Sequence, residues 1–171
     1  MQRIRVLGQG GAGKTTTLEY LLYCDINECV KKPTNSKIPV LVSLASVSNS
    51  ETVMESIAKK INIDIGFLEE LFKTNMLKIY LDGINEMVGT REAKKTALNE
   101  IASILQDYPE LYIIITDRFE FDSYQNNMFQ IPTFIIQKLD GSQIEEFVEK
   151  YCYYVKELSS NVLKILKSKK N

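Results

Sequence analysis

The chain has 171 residues, 44% of them hydrophobic and 25% charged, which suits one globular domain with a sizeable core. Its 21 basic and 22 acidic residues leave a formal charge of −1, so there is no basic footprint for nucleic acid or for an acidic membrane surface. Histidine is absent, which removes every mechanism that needs an imidazole base. Cys24, Cys29 and Cys152 are odd in number and lack histidine partners for zinc, so buried reduced thiols in a cytoplasmic protein are expected.

Five apolar runs rich in β-branched residues alternate with helical patterns. The first, "IRVL" (4–7), leads through a glycine-rich loop into a helix over 14–24. "PVLVSL" (39–44) follows, then a helix carrying Val53, Ile57 and Ile61, with Ser48 and Glu51 as its expected capping box. "LKIYLD" (77–82) precedes a helix whose apolar face is Ala93, Ala97, Leu98, Ile101, Ile104 and Leu105, stopped by Pro109. "LYIIIT" (111–116) and "TFIIQKL" (133–139) complete the strands. Ser142 and Glu145 are expected to box a last helix that buries Ile144, Phe147, Val148, Tyr151 and Val155. The aromatic run "YCYY" at 151–154 reads as packing of that helix, and Lys164, Lys167, Lys169 and Lys170 as a solvated face. Runs without polar alternation are what strands buried on both faces of a parallel sheet require, and the alternation with helices predicts a three-layer α/β/α sandwich. The longest apolar runs, such as "YIII" at 112–115, are far too short to cross a bilayer.

The loop "GQGGAGKTT" (8–16) fits two phosphate-binding signatures. Gly8, Gly10 and Gly13 spell G-x-G-x-x-G, whereas Gly8, Gly13, Lys14 and Thr15 spell G-x-x-x-x-G-K-T. A dinucleotide fold needs an acid at the tip of its second strand to hold the ribose, and here that strand ends in "SLASVS". A P-loop needs Lys14 for the β- and γ-phosphates, Thr15 for Mg²⁺, and an acid ending another apolar strand, which Asp82 supplies. The loop is a P-loop by this reading. Gly8, Gln9, Gly10, Gly11, Ala12, Gly13, Lys14, Thr15 and Thr16 are its expected nucleotide-binding residues, with Thr15 and Asp82 at the metal.

The chain lacks the N-K-x-D of small GTPases and the L-S-G-G-Q of transporter ATPases. What remains is the branch with an extra strand between the loop strand and the acid-bearing strand, a five-stranded parallel sheet of order 5-1-4-3-2. There a carboxylate beyond Asp82 polarises the attacking water, and Glu86 is placed for that task. The stretch "LKIYLDGINEM" resembles the extended Walker B segment of NACHT NTPases, a group of STAND-class signal-transduction ATPases. "GQGGAGKTTTLEYL", "IPVLVSLASV", "IIITDR" and "LDGSQIEEFVEKYC" resemble further segments of that family, in the same order.

The resemblance implies a NACHT-like core over residues 1–139 and the start of a helical lid over 140–171. It implies ATP or ADP with Mg²⁺, Glu86 as base, Arg118 as γ-phosphate sensor and Lys14 on the transferred phosphate. Asn85 stands where many members carry a second acid, which implies slow hydrolysis, and it is also a candidate to orient the water. Asp117 is placed to pair with Arg118 and draw it from phosphate. The module is expected to be cut from a longer switch protein, with self-association only in that parent and Arg91 a candidate for a neighbouring subunit. Two rivals are a non-hydrolysing, ADP-bound interaction module and a small-molecule kinase; the latter would need lid arginines, and no arginine follows Arg118.

Overall fold

Four of the five strands fall within a residue of the apolar runs that predict them. In the computed structural model, which describes residues 3–47, 51–118 and 129–151, they are β1 (Arg3–Leu7), β2 (Ile38–Ser43), β3 (Leu77–Asp82) and β4 (Tyr112–Asp117). The fifth, β5, is only Thr133–Ile135, shorter than the run at 133–139, and all three of its residues are exposed. Among the described residues it pairs with β1 alone, so it is an edge strand there and needs no long buried ladder. All strand pairs are parallel, in the order β2-β3-β4-β1-β5, which is 5-1-4-3-2 read from the other edge.

Alternation along each strand feeds two cores. Tyr80 and Ile114 pack with Leu18 of α1 (Lys14–Lys31) on one face. Ile79, Leu81, Ile113 and Ile115 face the other way. They share a larger core with Ile57 of α2 (Val53–Ile61), Phe72 of α3 (Ile65–Lys73) and Ile101 of α4 (Arg91–Asp107). The expected three layers are therefore present. The chain divides into two compact units, 1–136 and 137–171, and the second contains α5 (Gly141–Tyr151).

Helix ends depart from the sequence reading in instructive ways. α1 runs to Lys31, a turn and a half or more beyond residue 24. Its later apolar residues, Tyr20, Tyr23, Ile26 and Val30, are exposed, so no core-facing stripe marks the extension. What secures it is Asp25, which accepts hydrogen bonds from Lys78 Nζ at 2.6 Å and from the Tyr80 hydroxyl. Burial, and then the bond to Asp25, raise the Tyr80 phenol well above its usual range, so it remains a donor. α3 carries no forecast; Asp64 caps it, accepting from Phe67 N–H at 2.9 Å, and Leu68 and Phe72 bury one turn apart.

Both expected capping boxes are displaced. For α2 the box is Thr52 with Glu55: Thr52 Oγ1 accepts from Glu55 N–H at 3.1 Å and Glu55 Oε2 from Thr52 N–H at 2.7 Å. Glu51 instead pairs with Lys59 at 3.6 Å, and Ser48 lies outside the described residues. For α5 the reciprocal pair is Asp140 with Gln143, while Ser142 donates to Asp140. Overlapping S/T/D-x-x-E/Q matches occur at both places. In α5 Val148 is buried and Phe147 exposed; the side chains at 151–155 and Lys164, Lys167, Lys169 and Lys170 lie outside the described residues. Cys24 is exposed, contrary to the expected burial, Cys29 is half-buried, and both are free thiols; Cys152 lies outside the described residues.

A carboxylate from α4 adds a cap that no local pattern shows. Glu100 accepts from Val53 N–H at 2.8 Å and from Met54 N–H at 2.9 Å, satisfying two first-turn donors of α2. Glu100→Ala leaves both without that acceptor and is expected to lower stability by about 1–3 kcal/mol. Urea unfolding should show a lower midpoint at unchanged slope.

Candidate functional site

β1 delivers the chain to the glycine loop at the C-terminal edge of the sheet. Gly8 N–H donates to the Asp117 carbonyl at 3.3 Å, and Ala12 N–H closes a turn on the Gln9 carbonyl at 3.1 Å. Gly13 precedes α1 with φ 89° and ψ 18°, a left-handed conformation that disfavours any side chain. Gly13, at the N-cap, has no side chain to close the start of α1, and no side chain among the described residues does so. Its first-turn amides, at the positive end of an 18-residue helix, therefore remain available to an anion. Lys14 folds over the loop, and its Nζ donates to the carbonyls of Gly8 at 2.9 Å and Gln9 at 3.1 Å.

Asp82, at the end of β3 and 9% exposed, ties three elements together. Thr15 Oγ1 of α1 donates to its Oδ2 at 2.7 Å, and Thr116 Oγ1 of β4 donates to its Oδ1 at 2.5 Å. Thr116 in turn accepts from Gly83 N–H at 2.8 Å. Gly83 has φ +79°, and a Cβ there would meet the Glu86 carboxylate at 3.1 Å, so glycine lets the chain turn tightly enough to bring Glu86 back. Glu86 is the last residue of a 3₁₀ turn, Ile84–Glu86.

A cavity of about 220 Å³ lies above these groups. It is lined by residues 10–16 of the loop and helix start together with Asp82, Gly83, Glu86 and Arg118. Gly8 and Gln9, also expected at the nucleotide, supply the carbonyls that hold Lys14 and do not line the cavity. Arg118 reaches across the loop: its Cζ and Nη2 lie 3.9 Å from where a Cβ on Gly10 would project. Asn85 is not among the lining residues, and its Oδ1 is buried without a hydrogen-bond partner among the described residues. Arg91 begins α4, exposed and away from the cavity lining.

Asp117 does not draw the Arg118 side chain away. Its Oδ2 takes the Arg5 guanidinium at 2.9 Å, in a pair whose side chains are 3% and 0% exposed, and its Oδ1 accepts the Arg118 backbone N–H at 2.7 Å. Thr116 and the Arg5–Asp117 pair carry no role in the sequence reading. Their signals were a threonine two places before Arg118, and a lone arginine inside the apolar run "IRVL", which a buried strand tolerates only opposite an acid.

The donor set suits a hydrated Mg²⁺ bound with a polyphosphate. Thr15 and Asp82 offer hard oxygens, and no group of three or more acidic, cysteine or histidine side chains among the described residues forms an all-protein metal cage. Three solved structures share this architecture. Cdc6p of Pyrobaculum aerophilum aligns at TM-score 0.54 and 16% identity, over 85% of this chain and 41% of that one. The ORC2 protein of Aeropyrum pernix, determined as ADPNP-ADP complexes, aligns at 0.62 and 12%, over 89% and 46%. C. elegans PCH-2 aligns at 0.56 and 13%, over 92% and 41%. The chain has a P-loop NTPase fold. It spans less than half the length of each of these proteins, and at such identities the likeness is one of fold. No family model matches the chain, and no curated protein matches it in sequence.

Thr116→Val preserves shape but removes the hydroxyl that serves both Asp82 and Gly83. Two buried polar groups then lose a partner, and stability is expected to drop by about 1–3 kcal/mol in urea unfolding.

Proposed function

We propose that this chain is a NACHT-like ATPase module that binds ATP or ADP with Mg²⁺, hydrolyses ATP slowly, and serves as a nucleotide-controlled signalling or defence switch within a longer protein. What carries the reading is the convergence of the Lys14 loop, the Thr15–Asp82 pair, Glu86 and Arg118 on one cavity. The NACHT assignment itself rests on the order of motifs in the sequence.

In this reading the amides of residues 10–16 and the Lys14 ammonium hold the β- and γ-phosphates. Thr15 and Asp82 would hold Mg²⁺, which when bound supplies charge neutralisation of the phosphates. Glu86 takes a proton from water as the water oxygen bonds to the γ-phosphorus, and the β–γ bridging oxygen departs with ADP. Arg118 stabilises charge on the γ-phosphate oxygens. Among the described residues only Asp82 and Glu86 bring carboxylates to the cavity, and Asn85 adds none, so turnover is expected far below the roughly 1–100 per second of kinases. The same observation favours a second reading, a non-hydrolysing, ADP-bound interaction module.

Two variants separate binding from chemistry. Lys14→Ala should weaken ATP binding at least about tenfold, equivalent to about 1.4 kcal/mol, in calorimetric titration with Mg²⁺ present. An unchanged dissociation constant would sink the site assignment. Glu86→Gln should bind ATP as the parent does and lose single-turnover hydrolysis; equal rates in the two proteins would remove Glu86 as base. No phosphate release from the parent itself would favour the interaction module.

A further inference from the structure

Arg5 and Asp117 lie on neighbouring strands, on the sheet face away from α1, with Leu7 in register with Asp117 and Arg5 two residues back. The guanidinium therefore reaches along its own strand to meet the carboxylate, at 2.9 Å and 112 residues away in sequence. Asp117 is the last residue of β4, and three of its oxygens are engaged. Oδ2 takes Arg5, Oδ1 takes Arg118 N–H, and the carbonyl takes Gly8 N–H. One residue thus anchors both the start of the phosphate loop and the backbone from which Arg118 extends over Gly10.

A buried ion pair is a weak source of stability, because apolar residues of similar volume often do as well or better. Placing one here has a different consequence. An exposed arginine loses rotamer and backbone freedom when it engages an anion, and fixing its main chain beforehand lowers that cost. We infer that Asp117, clamped by Arg5, is a positioning residue that aims Arg118 across the phosphate loop at the γ-phosphate. This rests on the reading of the cavity as a nucleoside triphosphate site.

The test uses the 171-residue chain and compares ATP and ADP affinity by calorimetry for the parent, Arg118→Ala, and Arg5→Met with Asp117→Leu. The paired apolar change should lower the ATP-over-ADP affinity ratio about tenfold or more, as Arg118→Ala does, and leave ADP affinity near that of the parent. Adding Arg118→Ala to it should cost no more than about twofold further, since the three residues act as one device. A ratio held at the parent's value by the paired change, while Arg118→Ala loses it, overturns the inference and leaves the site assignment standing. So do losses that multiply when the changes are combined. A parent that binds neither nucleotide overturns the site assignment, and the inference with it. Should the paired variant lack a cooperative melt, Asp117→Asn, nearly identical in shape, is read against the same ratio: a fall supports the inference and no change overturns it.

Discussion

The Asp82 carboxylate is the constraint around which the site is built. One oxygen takes a hydroxyl from the helix that follows the glycine loop, the other a hydroxyl from the neighbouring strand, and that second hydroxyl accepts the N–H of Gly83. An acid at 9% exposure is costly to desolvate unless its lone pairs are met, and both of its oxygens have a donor. The consequence is geometric. α1, β3 and β4 are held at a common point, and the turn that carries Glu86 begins from it.

The parallel sheet makes this arrangement available. Parallel strands end together at one edge, and helices that return from that edge present their N-termini there. The order β2-β3-β4-β1-β5 sets β1 beside β4, so the glycine loop opens next to Thr116, Asp117 and Arg118, while β3 brings Asp82 within reach from the other side of β4. Lys14 Nζ donates to carbonyls of its own loop. Its ammonium holds the loop's shape through Gly8 and Gln9, and an anion seated on the first-turn amides of α1 offers it a stronger, charge-assisted partner.

How legible this was depended on the range of each interaction. Near-continuous apolar runs marked β1 to β4, because a strand covered on both faces leaves little room for polar alternation. The glycine loop and Asp82 were legible because their spacing or position at a strand end carries the chemistry. Where a feature depends on partners far along the chain, the local pattern was silent or misleading. α1 continues past residue 24 because Lys78 and Tyr80 hold Asp25, and α2 begins under Glu100 as well as Thr52. Asp117 looked like a competitor for Arg118, yet Arg5 claims one of its oxygens and the Arg118 main chain the other. Asn85 sits between Asp82 and Glu86 in sequence, but the 3₁₀ turn over Ile84–Glu86 leaves it off the cavity lining that both acids share.

If the amides of the glycine loop, and not some other surface, receive a nucleotide's phosphates, their resonances must report it. Amide nitrogen–proton NMR spectra of the chain, recorded as ADP and Mg²⁺ are added, test it residue by residue. The resonances of residues 10–16 and of Arg118 should shift together with one dissociation constant, while those of α3 at Ile65–Lys73 stay in place. Saturable shifts that leave residues 10–16 untouched, or no shifts at any concentration, would contradict it.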